Sequence, residues 1–171
     1  MGICCGKEER YNVFERGIVK KEENRVDLKS VNEKEVKYFT FAGRRLIVKP
    51  CHIYDGDTFS ILFEWKGEVI KYRCRCVGYD TPEMKPSLKD PNREKEKQKA
   101  LLAKMRFEEL LAKGKDGLVE VECGEFDKYG RILVTVYNGV DQESLNEIMI
   151  KEGHGLPYDG GKKSKFEFGD D

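Results

Sequence analysis

Residues Asp55-Gly56-Asp57-Thr58 open a 29-residue stretch that closes on Asp80-Thr81-Pro82-Glu83. Between them lie an alternating run, Thr58 to Glu64, a polar turn at Trp65-Lys66-Gly67-Glu68, and a second run, Val69 to Val77, carrying Arg73 and Arg75. Phe59, Ile61 and Phe63 fall on one face at period two, the pattern of a half-buried strand, so the stretch reads as one β-hairpin. Pairing its strands brings the two acidic clusters to the same end. Four carboxylates in one small volume repel one another, and a nearby opposite charge is the usual remedy. A hard divalent cation with oxygen ligands suits them, leaving Arg75 to face a bound anion. The stretch therefore points to a metal-dependent site that cleaves phosphodiesters.

Working outward, Leu46 to Tyr54 reads as a preceding strand, with Pro50 marking an edge or a bulge. After Glu83 comes a loop, and Asp90-Pro91 supplies an N-cap and a first-turn proline. The helix that follows runs to about Lys113. Ala100, Ala103, Phe107, Leu110 and Leu111 form its apolar stripe, and Gly114 closes it. Leu118 to Cys123 and Ile132 to Tyr137 are two more strands, and Asn138-Gly139 is a tight-turn signal. Ser144 with Glu147 forms a capping box for a short helix ending at Gly153. Five strands with a helix between the third and fourth predict an α+β, mostly β fold: a five-stranded OB-fold Greek-key barrel with two to three packed helices.

The 171 residues support one domain and a tail. The expected organisation is an N-terminal extension over 1–43, a barrel domain over 44–165 and a short polar tail over 166–171. Charged residues make up 37%, with 32 basic against 32 acidic, so a phosphate-binding surface must come from local segregation of charge. The chain carries no membrane-length apolar run and no secretory signal pattern, which predicts an intracellular protein; a monomer is expected. Cys51, Cys74, Cys76 and Cys123 lie in strand-like runs and read as reduced, buried thiols. At the start, Gly2 followed by Cys4 and Cys5 suggests N-myristoylation with palmitate as a second anchor, hence peripheral membrane attachment, although Gly6 stands where the motif wants Ser or Thr. Lys7 to Gly43 is too apolar for a simple disordered tail.

Four pieces in order carry a resemblance: Asp55-Gly56-Asp57-Thr58, Arg75 five residues before Asp80, Asp80-Thr81-Pro82-Glu83, and Asp127-Lys128-Tyr129-Gly130-Arg131. Together they resemble the staphylococcal nuclease (thermonuclease) family from about Leu46 to Lys163. The resemblance implies an OB-fold enzyme that cuts DNA and RNA with Ca²⁺, Mg²⁺ being the other cation to test, and that prefers single strands. It implies Asp57, Asp80 and the Thr81 carbonyl as metal ligands, with Asp55 in an outer shell. Glu83 would activate or position water, and Arg75 and Arg131 would contact the scissile phosphate. Lys128 and Tyr129 would meet a terminal phosphate, and Tyr158 would stack on a base. Arg73 shares the Arg75 face as a fallback, while His52 and His154 receive no catalytic role. Lys85, Lys89, Arg93, Lys95, Lys97 and Lys99 would funnel a strand toward the metal, or form a solvated helix face.

The well-known bacterial member has a long C-terminal helix at this point, where the sequence shows only the polar Ser164 to Asp171 after Lys163, and Lys7 to Gly43 is expected to cover the face that helix would occupy. A catalytically inactive nuclease-like module that binds nucleic acid or protein is the competing reading, and a membrane-attached Ca²⁺-responsive adaptor a weaker third.

Overall fold

The hairpin turns on two residues, Lys66 and Gly67, both with positive φ (52° and 82°). That conformation matches the right-handed twist of its strands, and glycine accepts it without a Cβ penalty. In the computed structural model, which describes residues 26–161 and 166, the chain divides into compact units over Met1–Tyr38 and Phe39–Asp171. In the first unit the described residues form two single 3-10 turns, capped by the side chains of Asp27 and Asn32. The acylation candidates Gly2, Cys4 and Cys5 lie outside the described residues, as does most of the Lys7 to Gly43 segment. No described helix is long and apolar enough to cross a membrane.

The second unit is a closed barrel of β1 (Arg45–Ile53), β2 (Thr58–Trp65), β3 (Glu68–Cys76), β5 (Val119–Phe126) and β6 (Ile132–Tyr137). The strand order is β1-β2-β3-β6-β5, with β5 closing on β1. All pairings are antiparallel except β3 with β6, which run parallel. Two elements pack outside, α1 (Arg93–Ala112) and α2 (Leu145–Lys151). The fold is thus the expected α+β barrel.

Inward positions alternate along every strand and meet in one core: Phe59, Ile61 and Phe63 from β2, Cys74 and Cys76 from β3, Val121 and Cys123 from β5, Val134 and Val136 from β6. The expected stripe on α1 is the buried one, and Phe107 meets Phe59 edge-to-face at 5.3 Å. Burial pushes the Cys74 and Cys76 thiols up, and the Cys123 thiol to about 11, so they stay protonated and pack as small hydrophobes. Phe41, 3% exposed, plugs the barrel end far from the hairpin's acids, edge-on to Phe63 and Trp65.

Three local readings shift. The helix begins at Arg93 rather than at Pro91: Asp90 instead closes a turn by accepting the Asn92 N–H at 2.8 Å. The irregularity in β1 comes two residues after Pro50, where His52 is an extra residue between Cys51 and Ile53 with φ +46°. A left-handed non-glycine residue costs about 1–3 kcal/mol. A two-stranded ribbon, β4 (Gly78–Asp80) with β7 (Leu156–Tyr158), was not foreseen. It runs antiparallel and sets Asp80 opposite Leu156.

At the α2 end, Ser144 and Glu147 form the expected capping box. Buried Asn146 accepts from the Val136 N–H and donates to the carbonyls of Val77 and Val134, tying α2 to the strand ends beneath the ribbon.

Candidate active site

The Asp55 carboxylate accepts the N–H groups of Asp57 (3.0 Å) and Thr58 (2.7 Å), an Asx turn that starts β2. Asp57 is thereby turned inward, 2% exposed. Gly56 packs against α1: a Cβ there would stand 2.8 Å from Thr81 Cγ2 and 3.1 Å from Ala103 Cβ. Its carbonyl accepts the buried Tyr79 hydroxyl at 2.6 Å, clamping the turn to β4. Gly56→Ala should therefore cost about 1–3 kcal/mol, read as a lowered urea midpoint, through overpacking at this junction. An unchanged midpoint would show that the junction has slack.

The second acid cluster arrives on β4. Asp80 is 5% exposed and Thr81 is buried beside it, with the Thr81 N–H donating to Asp57 Oδ2 at 3.2 Å. Arg75 joins the clusters: Nη1 donates to Asp57 Oδ1 at 2.7 Å and Nη2 to Asp80 Oδ1 at 2.6 Å. Arg75 was expected to face a bound anion; the structure instead gives both of these nitrogens to carboxylates. Two desolvated acids demand a counter-charge, and this guanidinium, paired with Thr58 across the hairpin, is in reach.

Burial and the neighbouring Asp55 push the Asp57 carboxyl up to about 7, although Arg75 and Thr58 oppose the shift. On Arg75, burial works against the charge, but Asp57 and Asp80 outweigh it and hold its pKa above the ordinary value. The donors are hard oxygens, buried, with negative charge that one arginine does not fully offset. Among the described residues no three His, Cys, Asp or Glu side chains are grouped to hold a metal ion, so a divalent cation of the Ca²⁺ or Mg²⁺ kind would meet two carboxylates here, Asp57 and Asp80, with carbonyl oxygen and water completing its shell.

Arg131 forms the opposite wall. In the tight turn Asp127–Gly130, the Asp127 carboxylate accepts the N–H groups of Tyr129 and Arg131, both at 2.9 Å, and Arg131 Nε at 2.7 Å. Burial works against the Asp127 charge, but these bonds outweigh it and hold its carboxyl below the usual range. Thr58 Oγ1 links the walls, donating to Asp57 Oδ1 at 2.8 Å and accepting from Arg131 Nη1 at 3.2 Å. Two aromatic rings flank the guanidiniums: Tyr129 lies 5.4 Å from Arg131 and Tyr158 5.7 Å from Arg75. Lys128 Nζ stands 5.1 Å from the Tyr129 ring.

The two walls enclose a cleft of about 450 Å³, with Asp127 behind Arg131 and outside its lining. Asp55, Asp57, Arg75, Asp80, Thr81, Glu83, Lys128, Tyr129, Arg131 and Tyr158, all the candidates within the described residues, are among its lining. Glu83 sits exposed at its rim, its N–H donating to Glu96 on the first turn of α1 at 3.1 Å. The basic residues of the loop and early helix do not line it, and Arg93 and Lys97 pair with Glu94. They fit the solvated face rather than the funnel. Sequence reasoning gave no role to Asp127 or Thr58. The signal for Asp127 was present, an acid four residues before an arginine across a turn; Thr58 looked like an ordinary strand threonine.

The family model described as "Staphylococcal nuclease homologue" matches residues 73–167, more than half of the chain. Over 101 residues, 58% of it, the chain is 36% identical to Endonuclease YncB of Bacillus subtilis (strain 168). It is 35% identical over a stretch of the same length to the SPbeta prophage-derived endonuclease YokF of that organism. These alignments cover only 42% and 30% of the two relatives' own lengths. The matched segment begins within β3, so Asp55 and Asp57 lie outside it; the barrel itself supplies them to Arg75 through the β2–β3 pairing. By this match, the chain belongs to the family of staphylococcal nuclease homologues.

Proposed function

We propose that the chain is a Ca²⁺-dependent nuclease that hydrolyses phosphodiester bonds of DNA and RNA without selecting the sugar, and prefers single strands. The observation that carries the reading is the convergence on one open cleft of two buried acids, Asp57 and Asp80, held by Arg75, and a second guanidinium, Arg131, held by Asp127 and Thr58. Asp57, Asp80 and the Thr81 carbonyl would hold the cation, with Asp55 fixing the turn that presents Asp57. A bound Ca²⁺ would supply Lewis-acid polarisation of a phosphoryl oxygen and lower the pKa of an adjacent water.

In-line attack raises charge on the three equatorial phosphoryl oxygens, and a planar guanidinium can grip two of them. Arg131 is already oriented for that by Asp127 and Thr58. Glu83, at the rim, accepts the proton of the attacking water or orients it. The water oxygen bonds to phosphorus as the bond from phosphorus to the leaving sugar oxygen breaks, and that oxygen takes a proton from solvent. Lys128 and Tyr129 hold a further phosphate of the strand, and Tyr158 stacks on a base.

Labelled single-stranded and duplex DNA and RNA, incubated with Ca²⁺, Mg²⁺ or a chelator, provide the test. Both nucleic acids should be cut with Ca²⁺, single strands faster, and cutting should stop in chelator. Binding without any cutting would assign the chain to the inactive binding module, and full cutting in chelator would remove the metal.

A further inference from the structure

The catalytic pole occupies only part of the cleft. Its lining continues through Tyr54, Ser60, Arg73 and His52, none of which the reaction above uses. Strand pairing sets Ser60 and Arg73 side by side on the outer face of the barrel, and His52 and Tyr54 come to the same cleft from the end of β1 and the loop after it. Ser60 of β2 pairs with Cys51 of β1 on one side and Arg73 of β3 on the other, and His52 is the residue that the bulge inserts next to Cys51. A bulge of this kind re-aims a side chain, and such bulges occur beside active sites. The left-handed backbone at His52 is one that glycine adopts freely, yet the position carries an imidazole that lines the cleft.

Charge points the same way. The described residues give Arg75 two carboxylate partners and Arg73 no ion-pair partner. Arg73 shares the Arg75 face two positions along β3, a separation of about 7 Å. That spacing is comparable to the distance between successive phosphates of an extended single strand. An arginine repeated at that interval along a cleft wall matches a polyanion laid along the strand direction.

We infer that His52 and Arg73 form a subsite for the phosphate and sugar of the nucleotide flanking the cleaved bond, with Tyr54 as a stacking surface for its base. Arg73 grips the flanking phosphate from β3, and His52 donates to it from β1, on the far side of β2. The ligand class is a single-stranded oligonucleotide of three or more residues. A dinucleoside monophosphate, whose one phosphate is the scissile one, does not reach the subsite. This inference rests on the nuclease reading for its substrate.

The full chain and its Arg73→Ala and His52→Gly variants would be compared in two assays. In Ca²⁺, cleavage of a dinucleoside monophosphate and of an octathymidylate gives kcat and KM for each. In chelator, fluorescence anisotropy of labelled octathymidylate over a salt series gives affinity without cutting. For both variants KM on the octamer should rise about three- to tenfold, the scale of one lost hydrogen-bonded contact, with kcat kept and the dinucleotide unaffected. Arg73→Ala should also lower the slope of log affinity against log salt by about 0.7.

His52→Gly should melt no lower than the parent, since glycine suits the backbone there. That separates loss of a contact from loss of fold, and Arg73→Ala decides the matter should His52→Gly melt lower. Octamer affinity equal to the parent in both variants, or equal losses on dinucleotide and octamer, would overturn the subsite. Failure of the parent to cut anything, with length-dependent binding intact, would instead sink the nuclease reading and leave the groove standing.

Discussion

Arg131→Ala is expected to lower kcat on single-stranded DNA by about 10² to 10³-fold, or about 3–4 kcal/mol, with KM changed only a few-fold. The size follows from how the side chain is held. Asp127 takes its Nε and backbone N–H, and Thr58 takes Nη1, so the guanidinium is oriented before substrate arrives. A preorganised donor aimed at developing charge acts mainly in the transition state, which places the loss in kcat. Arg131→Lys should recover little, because a point charge reproduces neither the fork nor the Asp127 bond geometry. Asp127→Asn, which weakens the hold and leaves the guanidinium in place, should fall between the parent and Arg131→Ala. Steady-state kinetics on the three variants checks the series, and an Asp127→Asn loss as large as that of Arg131→Ala would mean the pair acts as one unit.

Asp57→Asn should make the metal-free protein more stable at neutral pH while abolishing Ca²⁺-dependent cutting. The Asp57 carboxyl lies at about 7 in the folded protein, against an ordinary value of 3.8, because burial and Asp55 disfavour its anion. Its folded pKa is raised, so the group contributes fully to stability below pH 3.8. That contribution is lost as pH rises toward 7, and above that range the penalty is constant. About three units at 1.36 kcal/mol each set an upper scale of about 4 kcal/mol for the cost of ionising it. Asparagine carries no such cost, but it offers a cation a neutral amide oxygen in place of a charged carboxylate. Urea melts in chelator at pH 4.5 and pH 8 should show the variant gaining on the parent by about 2–4 kcal/mol across the interval. Added Ca²⁺ should raise the parent's midpoint and leave the variant's unchanged. A variant less stable than the parent at pH 8 would show that the Arg75 pairing outweighs the burial of Asp57. This is a trade of stability for function, of the sort active sites commonly carry.

How much of this could be read in the chain depends on whether the physical signal is local. The β2–β3 hairpin was legible because period-two alternation and the Lys66-Gly67 turn are adjacent in sequence. The α1 stripe and the Ser144 capping box were legible for the same reason. The parallel β3–β6 pairing and the β4–β7 ribbon are set by tertiary packing: Gly78–Asp80 and Leu156–Tyr158 are too short to show a period, and their partners lie far away. The candidate cleft residues were named through four ordered motifs, but their mutual bonding was not. Sequence could not tell that Arg75 would be taken by the acids it was meant to stand beside, because that depends on how deeply Asp57 and Asp80 are buried. Thr58, by contrast, is ordinary until a guanidinium 73 residues later arrives against its hydroxyl.

One measurement bears most directly on the claim that the two acid clusters and the guanidiniums form a single hydrolytic centre. It is the initial rate of cleavage of a labelled single-stranded DNA in saturating Ca²⁺ by the parent, Asp57→Ala and Arg131→Ala. The account predicts brisk cutting by the parent and rates at or below about one-hundredth of it for both variants, each still folded by circular dichroism. Undiminished cutting by either variant would contradict it, placing the chemistry somewhere other than this cleft.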